Sequence, residues 1–272
     1  TLREQTMLER VLIPLDGTAD AESVVPILEP LLHRRGSEIF LVRALEPRSP
    51  SSQDHAFQEA DRYLKDVADR FLDETDCVHT LVGVGRPPQV IESLAAGEEV
   101  TLIAMPARGD AVGPVGERLL RGSSRTILAL HPASGAPVSR KSARRHRTIL
   151  APLDGSEESR RSLPLALELA GVLDARVILM RVIEQDAEET EAVDDLHDVA
   201  QRLNRQGLFA EIWIENGDPV AKILQVSRDE GVEMVVMTTR GRSQTDDPPF
   251  GRVTRRLLQE SPVPVLAVHS RG

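Results

Sequence analysis

The chain has 272 residues, a formal net charge of −10, 40% hydrophobic and 3% aromatic residues, and one cysteine, Cys77. That length accommodates two ordinary domains with cores of Val, Leu, Ile and Ala, while the acidic balance argues against a nucleic-acid partner. The lone cysteine excludes an intrachain disulfide, and no apolar run approaches the ~20 residues needed to span a bilayer; the opening TLREQTMLERVLI holds no secretory leader, so a cytoplasmic protein without membrane contact is expected.

The first apolar run, Arg10 to Asp16, enters an Asp-Gly-Thr turn. Thr18 is placed to cap a helix over Ala19 to Arg35, which Pro26 is expected to kink. A second strand runs from Ile39 to Leu45, followed by a Pro/Ser loop from Pro47 to Ser52 and a charged helix over Gln53 to Asp73. A third strand covers Val78 to Val84, and Gly85-Arg86-Pro87-Pro88 opens a third helix. A fourth strand, Val100 to Met105, a short glycine-bearing loop, a last helix and a fifth strand, Thr126 to Leu130, complete the unit.

The pattern then begins again. Asp16 recurs as Asp154, Pro26 as Pro164, Arg43 as Arg181, Glu46 as Glu184 and His131 as His269, each 138 residues on. Gly85 and Gly217, Pro87 and Pro219, Met105 and Met237 lie 132 apart, so the first copy has six extra residues before Gly85 and six fewer between Met105 and His131. The gain is expected in the Pro/Ser loop. The loss falls in the loop after strand four. Self-similarity at this spacing means two copies of one domain. The expected boundaries are 7–132 and 147–270, joined by the Pro/Gly/Ser-bearing, basic-ended linker 133–146, which reads as a solvated connector offsetting an acidic body.

In the second copy the strands are Arg147 to Asp154, Val177 to Ile183, Ala210 to Glu215, Val232 to Met237 and Val263 to Val268. The helices begin at Glu157 (capped by Ser156, with Pro164 inside), at Glu188, and at Pro219 behind Asp218, a strong start signal. Alternating strands and helices argue for a parallel sheet covered on both faces, with ligands beyond the carboxyl ends of its strands. The stretch Val232 to Leu258 is strand, polar loop with Gly241 and Gly251, then helix. That layout suits an anion, because glycine permits close approach and a helix start presents free N–H groups. It matches neither the P-loop nor the dinucleotide fingerprint.

The strands VLIPLDG and ILAPLDGS, the Gly-Asp-Pro helix start, Met-Thr-Thr-Arg-Gly after strand four, and GRVTRRLL followed by PVPVLAV together resemble a universal stress protein domain, in tandem over nearly the whole chain. The resemblance implies two doubly wound α/β domains of the adenine nucleotide alpha-hydrolase-like group. Each has a five-stranded parallel sheet of order 3-2-1-4-5. It also implies a stress-response role with binding of ATP or another adenine nucleotide through G-x2-G-x9-G-S/T, regulatory rather than catalytic. Family domains pair through their fifth strands, which implies an internal pseudo-dimer and a possible homodimer.

Carried onto the second copy, Pro152, Leu153 and Asp154 stand at the end of strand one near ribose and adenine, and Val182 at the base-contacting position. Met237 and Thr238 precede Arg240 and Gly241, the second glycine; Gly251 is the third, nine residues further. Arg252 replaces the phosphate-binding hydroxyl, Val253 opens the helix, and Thr254 offers a hydroxyl one step on. Thr238 replaces the first glycine, and Asp246-Asp247 repels phosphate unless Mg²⁺ lies between. Arg240, Arg242 and Arg252 supply charged donors against that repulsion.

The first copy carries a weaker site at Asp16, Ala44, Gly109 and Gly113. Pro106 replaces its first glycine, and only three residues separate Gly109 from Gly113, so the span that would wrap a triphosphate is missing. Blander roles stand beside these. Asp16 and Asp154 shape the turn before Thr18 and Ser156, and Arg43 and Arg181, recurring at the ends of strand two, either line the cleft or form surface ion pairs with Glu46 and Glu184. His131 and His269 are surface or interface residues, Cys77 a buried or edge thiol, Trp213 a packing residue. No catalytic triad and no paired Cys/His metal pattern is legible. A non-binding scaffold acting through protein contacts is the alternative function.

Overall fold

The computed structural model describes residues 7–47, 49–71, 77–107, 112–131, 147–183, 189–205, 209–241 and 250–269. The expectations attached to the linker 133–146 and to Gly109, Glu184, Arg242, Asp246 and Asp247 lie outside the described residues.

Short β-branched and leucine-rich runs become strands because both their faces are covered. In the first unit these are β1 (Arg10–Pro14), β2 (Glu38–Leu45), β3 (Cys77–Val84), β4 (Leu102–Pro106) and β5 (Thr126–His131). They follow the spatial order 3-2-1-4-5. Pairing is parallel from β1 to β2 and β4 and from β2 to β3. The central strand β1 is apolar throughout its interior, with Val11, Leu12 and Ile13 fully buried, whereas β3 at the end of the order is largely half-exposed. That contrast is what a parallel sheet covered on both faces requires.

The connections are α1 (Ala19–Glu22), α2 (Val25–Arg35), α3 (Pro50–Phe71), α4 (Pro87–Gly97) and α5 (Gly113–Gly122). The helix expected from Ala19 to Arg35 is two helices rather than one kinked one. Pro26 sits in the first turn of α2, where its missing N–H costs nothing, and a turn at Ser23–Val24 breaks the run before it. The expected Pro/Ser loop is also corrected: Pro50, Ser51 and Ser52 belong to α3, which runs 22 residues, so the first copy's gain extends a helix.

The second unit repeats the plan with β6 (Arg147–Pro152), α6 (Glu157–Arg160), α7 (Leu163–Leu173), β7 (Ala175–Ile183), α8 (Glu189–Arg205), β8 (Ala210–Asn216), α9 (Pro219–Asp229), β9 (Met234–Thr238), α10 (Arg252–Glu260) and β10 (Val265–His269). Its strands follow the order β8-β7-β6-β9-β10, which is again 3-2-1-4-5. Pro164 splits α6 from α7 as Pro26 splits α1 from α2. The register sets Pro152 beside Met180 and Leu150 beside Val235, so the carboxyl ends of β6, β7 and β9 emerge together. The core beneath them is aliphatic: Ile149, Leu150, Val177, Ile178, Leu179, Val235, Val236 and Leu266 are fully buried. Among the described residues no helix is long and apolar enough to cross a membrane.

Helix α9 shows how one residue sets a start. Asp218 is extended (φ −71°, ψ 120°), its carboxylate accepts from the Ala221 N–H at 2.9 Å, and Pro219 follows. Its counterpart Arg86 has the same backbone shape but makes no side-chain cap of α4. Asp218→Ala is therefore expected to lower stability by about 0.5–2 kcal/mol, and Arg86→Asp to raise it by a similar amount, in urea unfolding. Equal and negligible effects would contradict the capping account.

Candidate functional site

At the carboxyl end of the second sheet lies a cavity of about 380 Å³, within the ~300–1,000 Å³ range of small-molecule sites. Its walls come from four places. Pro152, Leu153 and Asp154 stand at the end of β6, and Val182 lies half-buried near the end of β7. Met237, Thr238, Arg240 and Gly241 follow β9, and Gly251, Arg252, Val253 and Thr254 open α10. All twelve residues singled out in the second copy thus face one space, because the register aligns three strand ends.

Asp154 sets the shape of this space. Its Oδ1 accepts from the Ser156 N–H at 3.0 Å and the Ser156 hydroxyl at 2.6 Å, and Ser156 Oγ in turn accepts from the Ser159 N–H to cap α6. The turn-shaping role is therefore real, and it fixes the carboxylate in place. Across the cavity the backbone of Gly241 comes very close: a Cβ added there would lie 2.0 Å from Asp154 Oδ2. Only glycine allows that approach without displacing the carboxylate.

Gly251 differs. It is the N-cap of α10 at φ −65° and ψ 162°, a shape any residue adopts, and no side chain caps this helix. A Cβ added there would meet Arg240 Cα and Thr239 O at 3.7 Å, an ordinary contact. Among the described residues nothing demands glycine at that point. Both nearby hydroxyls are engaged: Thr254 Oγ1 donates to Thr238 O at 3.0 Å, and Thr238 Oγ1 donates to Arg240 O. The loop is thus tied to the helix by its own threonines, and the Thr254 hydroxyl expected to face phosphate is committed to the backbone.

The cavity includes Ser159, Met180, Pro219 and Ile223, which the sequence reading left out of the site, and Arg181, for which lining the cleft was one of two expectations. Arg181 is the most consequential. Of the two expectations the surface placement is corrected, because its side chain is only 5% exposed and lies against Asp195 of α8 at 3.7 Å. Asp195 is shared with Arg160. The guanidinium lies over Gly155, where an added Cβ would be 1.9 Å from Nη1 and φ is +81°. Both facts demand glycine in the Asp-Gly turn. The recurrence of arginine at 43 and 181 was the available signal.

The first copy shares the turn. Asp16 Oδ1 accepts from the Thr18 N–H at 2.9 Å and hydroxyl at 2.7 Å, and Arg43 lies over Gly17. Here, however, the Asp is exposed, and the Arg43 guanidinium stacks 4.7 Å above the Tyr63 ring. Burial, with Glu22 alongside, pushes the Tyr63 phenol above its ordinary range. Ala44 is half-buried near the end of β2. Gly113 begins α5 at φ +67°, unlike the extended Gly251 with which it aligns. The two copies therefore enter their last helix differently.

Other residues are placed plainly. Cys77 is exposed on β3, 3.6 Å from the His79 ring, so an edge thiol rather than a buried one is found. His269 contacts the Thr239 hydroxyl at 2.9 Å, and Trp213 Nε1 donates to Glu211 at 3.4 Å. Among the described residues no group of three or more His, Cys, Asp or Glu could hold a metal.

The sequence profile described as the Universal stress protein family matches residues 7–131 and again 145–269. The chain belongs to the universal stress protein family. A universal stress protein of Synechocystis, Sll1654, is 32% identical over 133 residues, covering 45% of this chain and 85% of that one. YxiE of Bacillus subtilis is 26% identical, covering 44% and 97%. Each relative corresponds to about one of the two copies. A universal stress protein structure from Archaeoglobus fulgidus covers 98% of both chains with a TM-score of 0.72 at 20% identity, a likeness of fold.

Within this universal stress protein the two loop glycines make separable demands. Gly241→Ala is expected to cost about 1–3 kcal/mol, because Asp154 must move. Gly251→Ala should change stability by no more than about 0.5 kcal/mol. Urea unfolding of both variants checks this, and a costly Gly251→Ala would show that the chain itself requires that glycine.

Proposed function

We propose that this protein is a stress-response protein that binds an adenine nucleotide, ATP, ADP or AMP, in its second copy, in a regulatory rather than catalytic role. The single observation that carries the reading is Gly251. It is a glycine that none of the described residues requires, placed at the uncapped start of α10 on the wall of a nucleotide-sized cavity. Close approach by a ligand anion accounts for it.

The cavity's other walls suit the rest of a nucleotide. Pro152, Leu153, Val182, Met237 and Ile223 offer apolar surface for a base, and Asp154 offers acceptor capacity for ribose hydroxyls. Backbone N–H groups at the start of α10, with Arg240 and Arg252, face the phosphate side. Asp154 is the only carboxylate among the described lining residues, and no histidine or cysteine joins it, which favours binding over turnover. The first copy's Asp16, Ala44 and Gly113 form at best a weaker site.

Calorimetric titration with ATP, with and without Mg²⁺, tests this directly. Saturable binding is expected, lost in Gly251→Val and kept in Gly113→Val. Absence of binding at millimolar nucleotide would instead support the scaffold role. Equal loss from Gly113→Val would refute the assignment to the second copy.

A further inference from the structure

Asp195 of α8 does not line the cavity, yet it holds two arginines that lead back to the Asp154 turn. One is Arg181, which lines the cavity, lies over Gly155 and pairs with no other carboxylate among the described residues. The other is Arg160, the last residue of α6. The start of that helix is capped by Ser156, whose N–H and hydroxyl both donate to Asp154 Oδ1. A ring results: Asp154, Ser156, α6, Arg160, Asp195, Arg181 and back through Gly155. Helix α6 has only four residues, too few to hold its own direction without such anchors at both ends.

The first copy shows what the fold itself requires here. Positions 22 and 160 correspond at the 138-residue offset, and 63 and 195 at the 132-residue offset, where buried Leu64 and Val67 match Leu196 and Val199. Glu22 thus stands in place of Arg160, and Tyr63 in place of Asp195. Arg43 still lies over its glycine, but against the face of the Tyr63 ring at 4.7 Å, and Glu22 pairs with Arg70 at 3.0 Å. An arginine over the Asp-Gly turn is therefore accommodated without a carboxylate at this position. The carboxylate at 195 belongs to the copy whose aspartate borders the cavity, and the shared fold alone does not account for it.

The consequence of losing it is specific. With a neutral group at 195, the Arg181 charge is buried without its counter-ion, a costly state that the side chain relieves by turning into the cavity it lines. Arg160 at the same time loses the contact that fixes the far end of α6. Both changes converge on Gly155 and Ser156, the two neighbours that set where the Asp154 carboxylate stands.

We infer that Asp195 is a positioning residue for the second copy's ligand site: acting through Arg181 and Arg160, it holds the Asp154 turn in the shape that receives the nucleotide's ribose. The inference rests on the nucleotide-binding reading above.

The test is calorimetric titration of the full chain with ATP, at a temperature where circular dichroism shows each variant folded. Asp195→Asn keeps the shape and removes the charge; it should weaken ATP about tenfold, the worth of one well-placed polar contact. Asp195→Glu restores the carboxylate, and the open groove of about 350 Å³ between α7 and α8 leaves room for its extra methylene. Its affinity should return to within about threefold of the parent. Glu230→Gln is the control: it removes a comparable partner from Arg176 at the amino end of the same sheet, and should lower the melting temperature without changing affinity. Arg160→Gln, at a side chain 36% exposed, breaks the ring without stranding a buried charge. It should weaken ATP about threefold, and it keeps the test decisive if Asp195→Asn does not fold. Asp195→Asn binding like the parent, Asp195→Glu as weak as Asp195→Asn, Glu230→Gln weakening ATP equally, or unchanged affinity in Arg160→Gln would each overturn the inference while leaving nucleotide binding intact. No binding by the parent would overturn both.

Discussion

The close approach of the Gly241 backbone to the Asp154 carboxylate is the contact on which the second copy's site depends. It joins the end of the first strand to the loop after the fourth, the two places where the order of a 3-2-1-4-5 sheet reverses. Ser156 holds the carboxylate from one side, and glycine makes room for it on the other. If either were lost, the strand ends would still emerge together but the cavity wall would not close in the same place. The Thr254 hydroxyl, donating to Thr238 O, then ties the end of β9 to α10, and the Thr238 hydroxyl closes on Arg240 O within the loop.

A second layer supports this contact from behind. Arg181 lies over Gly155, with Asp195 and Arg160 completing a small ionic cluster at α6, β7 and α8. Burying an arginine is costly unless it is paired, and the shared aspartate compensates only part of that cost. The first copy meets the same need differently, setting Arg43 on the Tyr63 ring. The shared arginine explains why both turns carry glycine after the aspartate. The different partners explain why the two ends are not equivalent surfaces.

Much of this was legible in the residues. The repeat and the helix starts at Thr18, Ser156 and Asp218 followed from spacing and local chemistry, while the strand order and the gathering of Asp154, Val182, Gly241 and Gly251 followed from the family resemblance. What escaped was tertiary. Pro26 and Pro164 signalled a disturbed helix, but whether it bends or divides depends on the turn that the surrounding sheet allows. For Arg181 the sequence left a place in the cleft and a surface pair with Glu184 both open, because its partner Asp195 comes from a helix distant in sequence. The commitment of the Thr254 hydroxyl to a carbonyl, and the difference between a glycine the fold needs and one it does not, exist only once the backbone is placed.

The copies therefore share a scaffold and differ where ligand chemistry would be decided: exposed against half-buried aspartate, left-handed against extended glycine, proline against arginine at the last helix start. The central claim is that one ligand-sized space in the second copy holds an adenine nucleotide. A crystal structure of the full chain grown with ATP measures this most directly. The account predicts nucleotide density against Asp154 and Val182, with phosphates at Gly251 and Arg252. Density at Asp16 and Gly113 instead, or a second-copy cavity left empty at saturating ATP, would contradict it.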